Sequence, residues 1–125
     1  MKLLTQAIIK KLPPIYAQEG LGDDAKIHVK FFTPDSSWSW FATEGNPIVV
    51  RDGEQTELDS QDQLTPGELV VDWRFFGMVH GFEKELGYFL LSELASARGR
   101  LGLPIERDRW LGDHTLGDLK AAGHL

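Results

Sequence analysis

The chain has 125 residues and a formal net charge of −6, with 42% apolar residues and no cysteine. That length suits one domain with a core that needs no staples, and the absence of cysteine excludes disulfides, thiol nucleophiles and thiolate metal sites. The longest apolar runs, such as Ile48 to Val50, fall far short of the roughly 20 residues of a membrane span. With Gln6, Lys10 and Lys11 interrupting the N-terminal segment, no signal peptide is expected, and the cytoplasm is the expected compartment.

In chain order, Thr5 is an N-cap candidate ahead of Ile8, Ile9 and Leu12 at helical spacing. Pro13-Pro14 must end that helix, and Pro14 is placed to open a second short one running to Gly20. Ile27, Val29 and Phe31 alternate with Lys26, His28 and Lys30, the pattern of a half-buried strand. A turn at Thr33-Pro34-Asp35-Ser36 leads to a second strand, Trp38 to Thr43, and the short spacing predicts an antiparallel hairpin. Asn46-Pro47 reads as a break, with Ile48-Val49-Val50 opening a new strand. Asp52-Gly53 is the strongest two-residue hairpin signal, with Glu54 to Leu58 returning. Residues 59–67 are polar and turn-rich. From Leu69 to Val79 the pattern is that of one long strand, or of two meeting at a bulge near Trp73-Arg74.

Beyond it, Glu83 to Gly87 reads as a turn and Tyr88 to Leu91 as a short strand. Ser92 reads as the cap of a helix running to Arg98 with Gly99 as its stop. Residues 101–112 read as irregular. Thr115 and Asp118 form a shortened capping box for a last helix, ended by Gly123. The expected class is α+β: one antiparallel sheet of about five to six strands with several short helices packed on it.

The charge is unevenly placed. Residues 31–72 carry nine acids and one base, and between Asp52 and Asp72 there is no Lys or Arg. Such a surface repels phosphate and attracts basic partners; the plainer alternative is a solvated acidic loop.

Catalytic and metal patterns fail one by one. His28, His80, His114 and His124 show no ligand spacing. A Mg²⁺-dependent nuclease site needs an acid-x-Lys on the strand after Pro34-Asp35, and Glu44-Gly45-Asn46 has no lysine. There is no Gly-x-Ser-x-Gly elbow and no phosphate-cradling glycine loop followed by Lys-Ser/Thr. No catalytic residue, metal or cofactor is therefore expected. Arg98, Glu106, Arg107 and Asp108 are candidates for an anion or acid–base corner, against the alternative of a salt-bridged turn. The aromatics Trp38, Trp40, Phe41, Trp73, Phe75 and Phe76 could stack bases, but the acidic middle third argues for core packing and protein contact instead.

Several runs taken together carry a resemblance: Lys30-Phe31-Phe32-Thr33-Pro34-Asp35, Trp38 to Glu44, Phe75-Phe76-Gly77, Glu83 to Leu94, and Arg98-Gly99 followed by Leu101 to Asp108. The chain resembles an uncharacterised bacterial family, domain of unknown function 2958, whose members are common on mobile elements. The likeness covers most of the chain, and the stretch from about 47 to 68 looks like an acidic hairpin or loop inserted into a single domain, 1–125. The resemblance implies a mobile-element setting and no catalytic residues. The leading expectation is a non-catalytic macromolecule-binding protein, a counter-defence inhibitor of anti-CRISPR or anti-restriction type. Its Asp52, Glu54, Glu57, Asp59 and Asp62 would stand in for backbone phosphates on a nucleic-acid-binding host complex. A small enzyme at the Arg98/Glu106/Arg107/Asp108 corner and a single-strand nucleic-acid binder are the alternatives.

Overall fold

The computed structural model describes residues 2–123. Helix α1 (Gln6–Lys11) starts at Thr5, whose hydroxyl accepts the Ile8 N–H, and stops at Leu12 before the two prolines. After it the chain forms turns and a short 3-10 segment, Glu19–Asp24, rather than the second helix the sequence suggests. The reason lies at Tyr16, whose φ of +81 is outside the helical region; its N–H and that of Ile15 are held across the chain by the Glu44 and Asn46 side chains.

Eight strands follow from the alternation: β1 (Lys26–Ile27), β2 (Val29–Phe32), β3 (Ser39–Arg51), β4 (Glu54–Glu57), β5 (Val70–His80), β6 (Lys84–Leu90), β7 (Glu106–Arg107) and β8 (His114–Thr115). Six of them make one antiparallel sheet in the order β6-β5-β3-β2-β7, with β4 also paired to β3. β1 and β8 form a separate two-stranded ribbon. With α2 (Leu91–Ser96) and α3 (Leu116–Ala121) packed on the sheet, the class is α+β as expected. No helix among the described residues is long and apolar enough to cross a membrane.

The main correction concerns Asn46-Pro47. β3 does not break there; it runs 13 residues, about 40 Å at strand rise. One side of β3 pairs with β5 along nearly its whole length. On the other side, β2 pairs only as far as Ala42 and β4 begins only at Ile48. Pro47 sits in the gap between them, where its missing N–H costs no ladder bond, and its carbonyl still accepts Leu58 N–H at 3.0 Å. Register slips between Ala42 and Glu44 and again beside Ile48, so the bulges lie at Thr43 and Val71 and not near Trp73-Arg74.

Three smaller expectations change as well. The turn after β5 is confined to Gly81–Glu83, and β6 is a seven-residue edge strand; its Lys84 and Glu85 are the kind of charged residue an edge tolerates. Because β6 continues to Leu90, Ser92 falls inside the first turn of α2 and does not cap it. Its N–H and hydroxyl both donate to the buried Asp72 (2.9 and 2.6 Å). The helix ends before Ala97, so Gly99 is not its stop. The stretch 101–112 contributes β7, which adds an edge to β2. The Asp52-Gly53 hairpin holds, with φ +53 and +78 as its two-residue turn requires. The Thr115/Asp118 capping box of α3 is likewise present.

Both faces of the sheet are covered. One buries Leu4, Leu12, Phe31, Trp73, Phe75, Phe89 and Leu94 beneath α1 and α2. The other buries Ile27, Phe41 and Met78 beneath Leu116 and Leu119 of α3.

Candidate functional site

The acids of the middle third divide into two groups. Glu57 meets Arg74, whose Nη2 donates to Oε2 at 3.1 Å; the Arg74 Nε lies 2.6 Å from Oε1, close as an ion pair without forming a hydrogen bond. Glu68 takes a bidentate fork from Arg51, 2.8 and 3.0 Å. That fork, together with the Thr65 N–H, holds the Glu68 carboxyl at about 2. Asp72 is buried and accepts from Trp73 and Ser92. Asp52 and Glu54 on the hairpin turn, and Asp59 and Asp62 beyond the end of β4, are exposed and make no ion pair among the described residues. Of the five predicted partner-binding acids, four thus face solvent and Glu57 is spent internally.

The Arg98/Glu106/Arg107/Asp108 group is not gathered into one corner. Glu106 and Arg107 are neighbours in β7 and so face opposite sides of the strand. Arg107 donates to the Lys2 carbonyl. Asp108 accepts the Trp110 N–H at 2.8 Å and faces Lys30 at 3.9 Å, on the wall of an open groove of about 760 Å³. Arg98 donates to the carbonyls of Ala95 and Ala97.

What does converge nearby is Asp35 on the loop 99–103. Its Oδ2 accepts the N–H groups of Leu101 (2.7 Å) and Leu103 (3.1 Å), and its carboxylate lies where a Cβ on Gly99 would be. This joins two of the sequence runs that carry the family likeness.

The aromatics also divide. Phe41, Trp73 and Phe75 are core, whereas Trp38 and Trp40 are half-buried and stack at 5.9 Å. Phe82, 95% exposed, meets Trp38 edge-on at 5.3 Å at the tip of the β5–β6 turn. The histidines lie apart: His28 between β1 and β2, His80 ending β5, and His114 beside Asp118 at 3.8 Å. His124 lies outside the described residues. No cluster of three metal-ligating side chains occurs among the described residues.

A further site, built around a buried acid, was not evident in the sequence. Where β2 and β4 leave the flank of β3 open, the segment 13–18 lies across the gap. The Pro13 carbonyl accepts Gly45 N–H, Ile15 N–H donates to Asn46 Oδ1, and Tyr16 N–H donates to Glu44 Oε1 at 2.6 Å. Gln18 bridges the Thr43 and Lys26 carbonyls. Asn46 donates to Glu57 (2.9 Å), Glu57 holds Arg74, and the Arg74 guanidinium lies 4.2 Å from the Tyr88 ring centroid. The Tyr16 hydroxyl beside Tyr88 raises the Tyr88 pKa, and the two tyrosines close the ring of contacts. Inside it is a cavity of about 180 Å³ whose walls include Tyr16, Thr43, Glu44, Phe76, Leu86 and Tyr88.

Glu44 is 97% buried, being 3% exposed, and has no cationic partner among the described residues. The one signal in the sequence was an acid set between the apolar residues Phe41-Ala42 and Ile48-Val49-Val50 of one strand.

A family model described as "Protein of unknown function (DUF2958)" matches residues 56–118. No curated protein and no solved structure matches the chain. The matched span begins within β4 and runs through β5, β6, α2 and β7 into α3; it contains the Arg98–Asp108 stretch but not Asp35 or Glu44.

Proposed function

The chain belongs to the DUF2958 family, whose function is unknown, and we propose that it is a non-catalytic binding protein that presents an acidic surface to a basic, nucleic-acid-binding partner. The observation that carries this is the division of the middle-third acids. Glu57, Glu68 and Asp72 are tied into the fold, and Asp52, Glu54, Asp59 and Asp62 are left solvated on and beside a tight hairpin. A carboxylate held by an internal partner has little field to offer a second one, whereas a set left unpaired on and beside a hairpin attracts cations over about a Debye length. A basic groove built for phosphates would receive these four acids as phosphate substitutes. In the mobile-element setting implied by the family likeness, the concrete form is a cytoplasmic counter-defence inhibitor of anti-CRISPR or anti-restriction type. The exposed Phe82, with the half-buried Trp38 beneath it at the far end of β3, supplies apolar contact area suited to a protein partner, and Glu83-Lys84-Glu85 beside it leaves a net negative charge that disfavours a phosphate backbone.

The test compares the tagged wild-type chain with a D52N/E54Q/D59N/D62N variant as bait in bacterial lysate at graded salt. The expected result is a set of nucleic-acid-binding proteins held by the wild type, released by salt, displaced by duplex DNA and lost from the variant. Equal capture by both baits, or capture indifferent to salt and DNA, would overturn the proposal.

A further inference from the structure

Burying a carboxylate is costly unless hydrogen bonds and an opposite charge compensate it. Glu44 has little of either. Oε1 has the Tyr16 N–H at 2.6 Å. Oε2 has only the Thr43 hydroxyl at 3.0 Å, and that same hydroxyl lies 3.2 Å from the Phe76 carbonyl, so its single proton is divided between two acceptors. The nearby cation, Arg74, is held by Glu57 and lies 4.2 Å from the Tyr88 ring centroid. The cavity wall holds two carboxylates, Glu44 and Glu19, and no Lys or Arg.

Around this charge the walls are aromatic. Phe76 and Tyr88 stand 5.1 Å apart between centroids, and Tyr16 closes the rim. Tyr16 holds its place at φ +81, a conformation that is strained for a bulky side chain and that persists only where its surroundings enforce it. A cation is attracted to ring faces within about 6 Å as well as to the carboxylate. The cavity of about 180 Å³ is a little larger than the roughly 150 Å³ site that takes a benzene ring, so it admits a group of about half a dozen heavy atoms.

We propose that this pocket binds an alkylammonium group, with Glu44 as its counter-ion and the rings of Tyr16, Phe76 and Tyr88 as its walls. The charge is met by Glu44 at the floor, the alkyl substituents by the rings, and the Tyr16 backbone N–H keeps the carboxylate in position. The site is independent of the acidic hairpin: none of Asp52, Glu54, Asp59 or Asp62 lines it.

The test is an NMR titration of the whole chain, following the Tyr16 amide and the tyrosine ring signals. The probes are tetramethylammonium and n-butylammonium chlorides, with neopentyl alcohol and n-pentanol as neutral counterparts and N-acetyl-lysine methylamide to distinguish a protein side chain from a free amine. Saturable shifts with millimolar affinity are expected for at least one free cation and not for its neutral counterpart. Binding of the lysine amide alone would assign the pocket to a protein lysine and support the same chemistry.

Glu44→Gln, which retains an acceptor for Tyr16 N–H, should weaken binding at least tenfold. Tyr88→Leu should weaken it several-fold with Glu44 intact, and the D52N/E54Q/D59N/D62N variant should bind normally. No saturable response to any cation up to about 50 mM, equal response to the neutral probes, or unchanged binding in a folded Glu44→Gln protein would overturn the proposal.

Discussion

Replacing Gly99 by alanine tests the junction between the turn at Asp35 and the loop 99–103. Gly99 does not require a positive φ, so by conformational entropy alone the substitution should stabilise the chain by about 0.4–1 kcal/mol. The surroundings reverse the sign. An added Cβ would lie under 3.0 Å from all three carboxyl atoms of Asp35, a separation real Cβ atoms essentially never show. To make room the carboxylate must leave the Leu101 and Leu103 N–H groups. Each hydrogen bond to a charged group contributes about 1.5–3 kcal/mol; losing one outright and weakening the other leaves a net cost of about 3 kcal/mol. For a chain of this size that lowers Tm by about 10–15 °C.

The decisive assay is a double-mutant cycle in urea, followed by tryptophan fluorescence. In an Asp35→Ala background the clash is gone, and Gly99→Ala should be neutral or slightly stabilising. The coupling between the two sites should then equal most of the 3 kcal/mol. Effects that add to within about 0.5 kcal/mol, or a Gly99→Ala protein as stable as the wild type, would refute the reasoning.

Two further predictions concern pH. The folded value of Glu68, about 2, lies below the ordinary 4.5 because Arg51 forks onto it and the Thr65 N–H adds to the effect. Its contribution is therefore present above about pH 4.5 and lost as the pH falls toward 2. Glu68→Gln should lower the urea midpoint at pH 7 by an amount that vanishes near pH 2; a deficit that persists there would contradict this. His28 is held below 6.5 by burial first and then by Lys26 and Lys11, against a weaker opposite pull from Asp113. Its neutral form is the folded one, so stability should be full above pH 6.5 and decline as the pH falls through the folded value. An NMR titration of the His28 ring should show the lowered midpoint, and His28→Gln should flatten the slope between pH 7 and 5.

Much of the fold is legible in the sequence because local chemistry and tertiary structure agree there. The Thr5 cap, the Asp52-Gly53 turn, the Ile27/Val29/Phe31 alternation and the Thr115/Asp118 box each specify a conformation that nothing distant opposes. Where they disagree, the cause is an interaction across the chain. Ser92 has the chemistry of a cap, but Asp72, 20 residues away, takes its hydroxyl. Gly99 has the chemistry of a helix stop, but the carboxylate of Asp35 occupies the space its side chain would need. Glu57 reads as one more exposed acid until Arg74 and Asn46 are placed beside it.

The continuity of β3 through Asn46-Pro47 and the pocket at Glu44 share one origin. A proline in a strand argues for an edge, and the edge is real, although it is only local: β3 is paired on the β5 side and open for a few residues on the other. An open flank in the middle of a sheet must have its backbone groups satisfied by something else. Here the double proline supplies it. By ending α1 at Leu12, Pro13-Pro14 frees the extended segment whose carbonyl and N–H groups reach Gly45, Asn46 and Glu44. The same crossing turns Tyr16 out over Tyr88 and leaves Glu44 beneath it with one firm donor. Two sequence features read separately as punctuation, Pro13-Pro14 and Asn46-Pro47, are thus the two halves of one construction. It becomes visible only when the register of β3 against β2, β4 and β5 is known. A substitution that replaces Pro47 and lets β2 or β4 extend along β3 would close the site, since the segment 13–18 and the extended strand compete for the same N–H and C=O groups of β3.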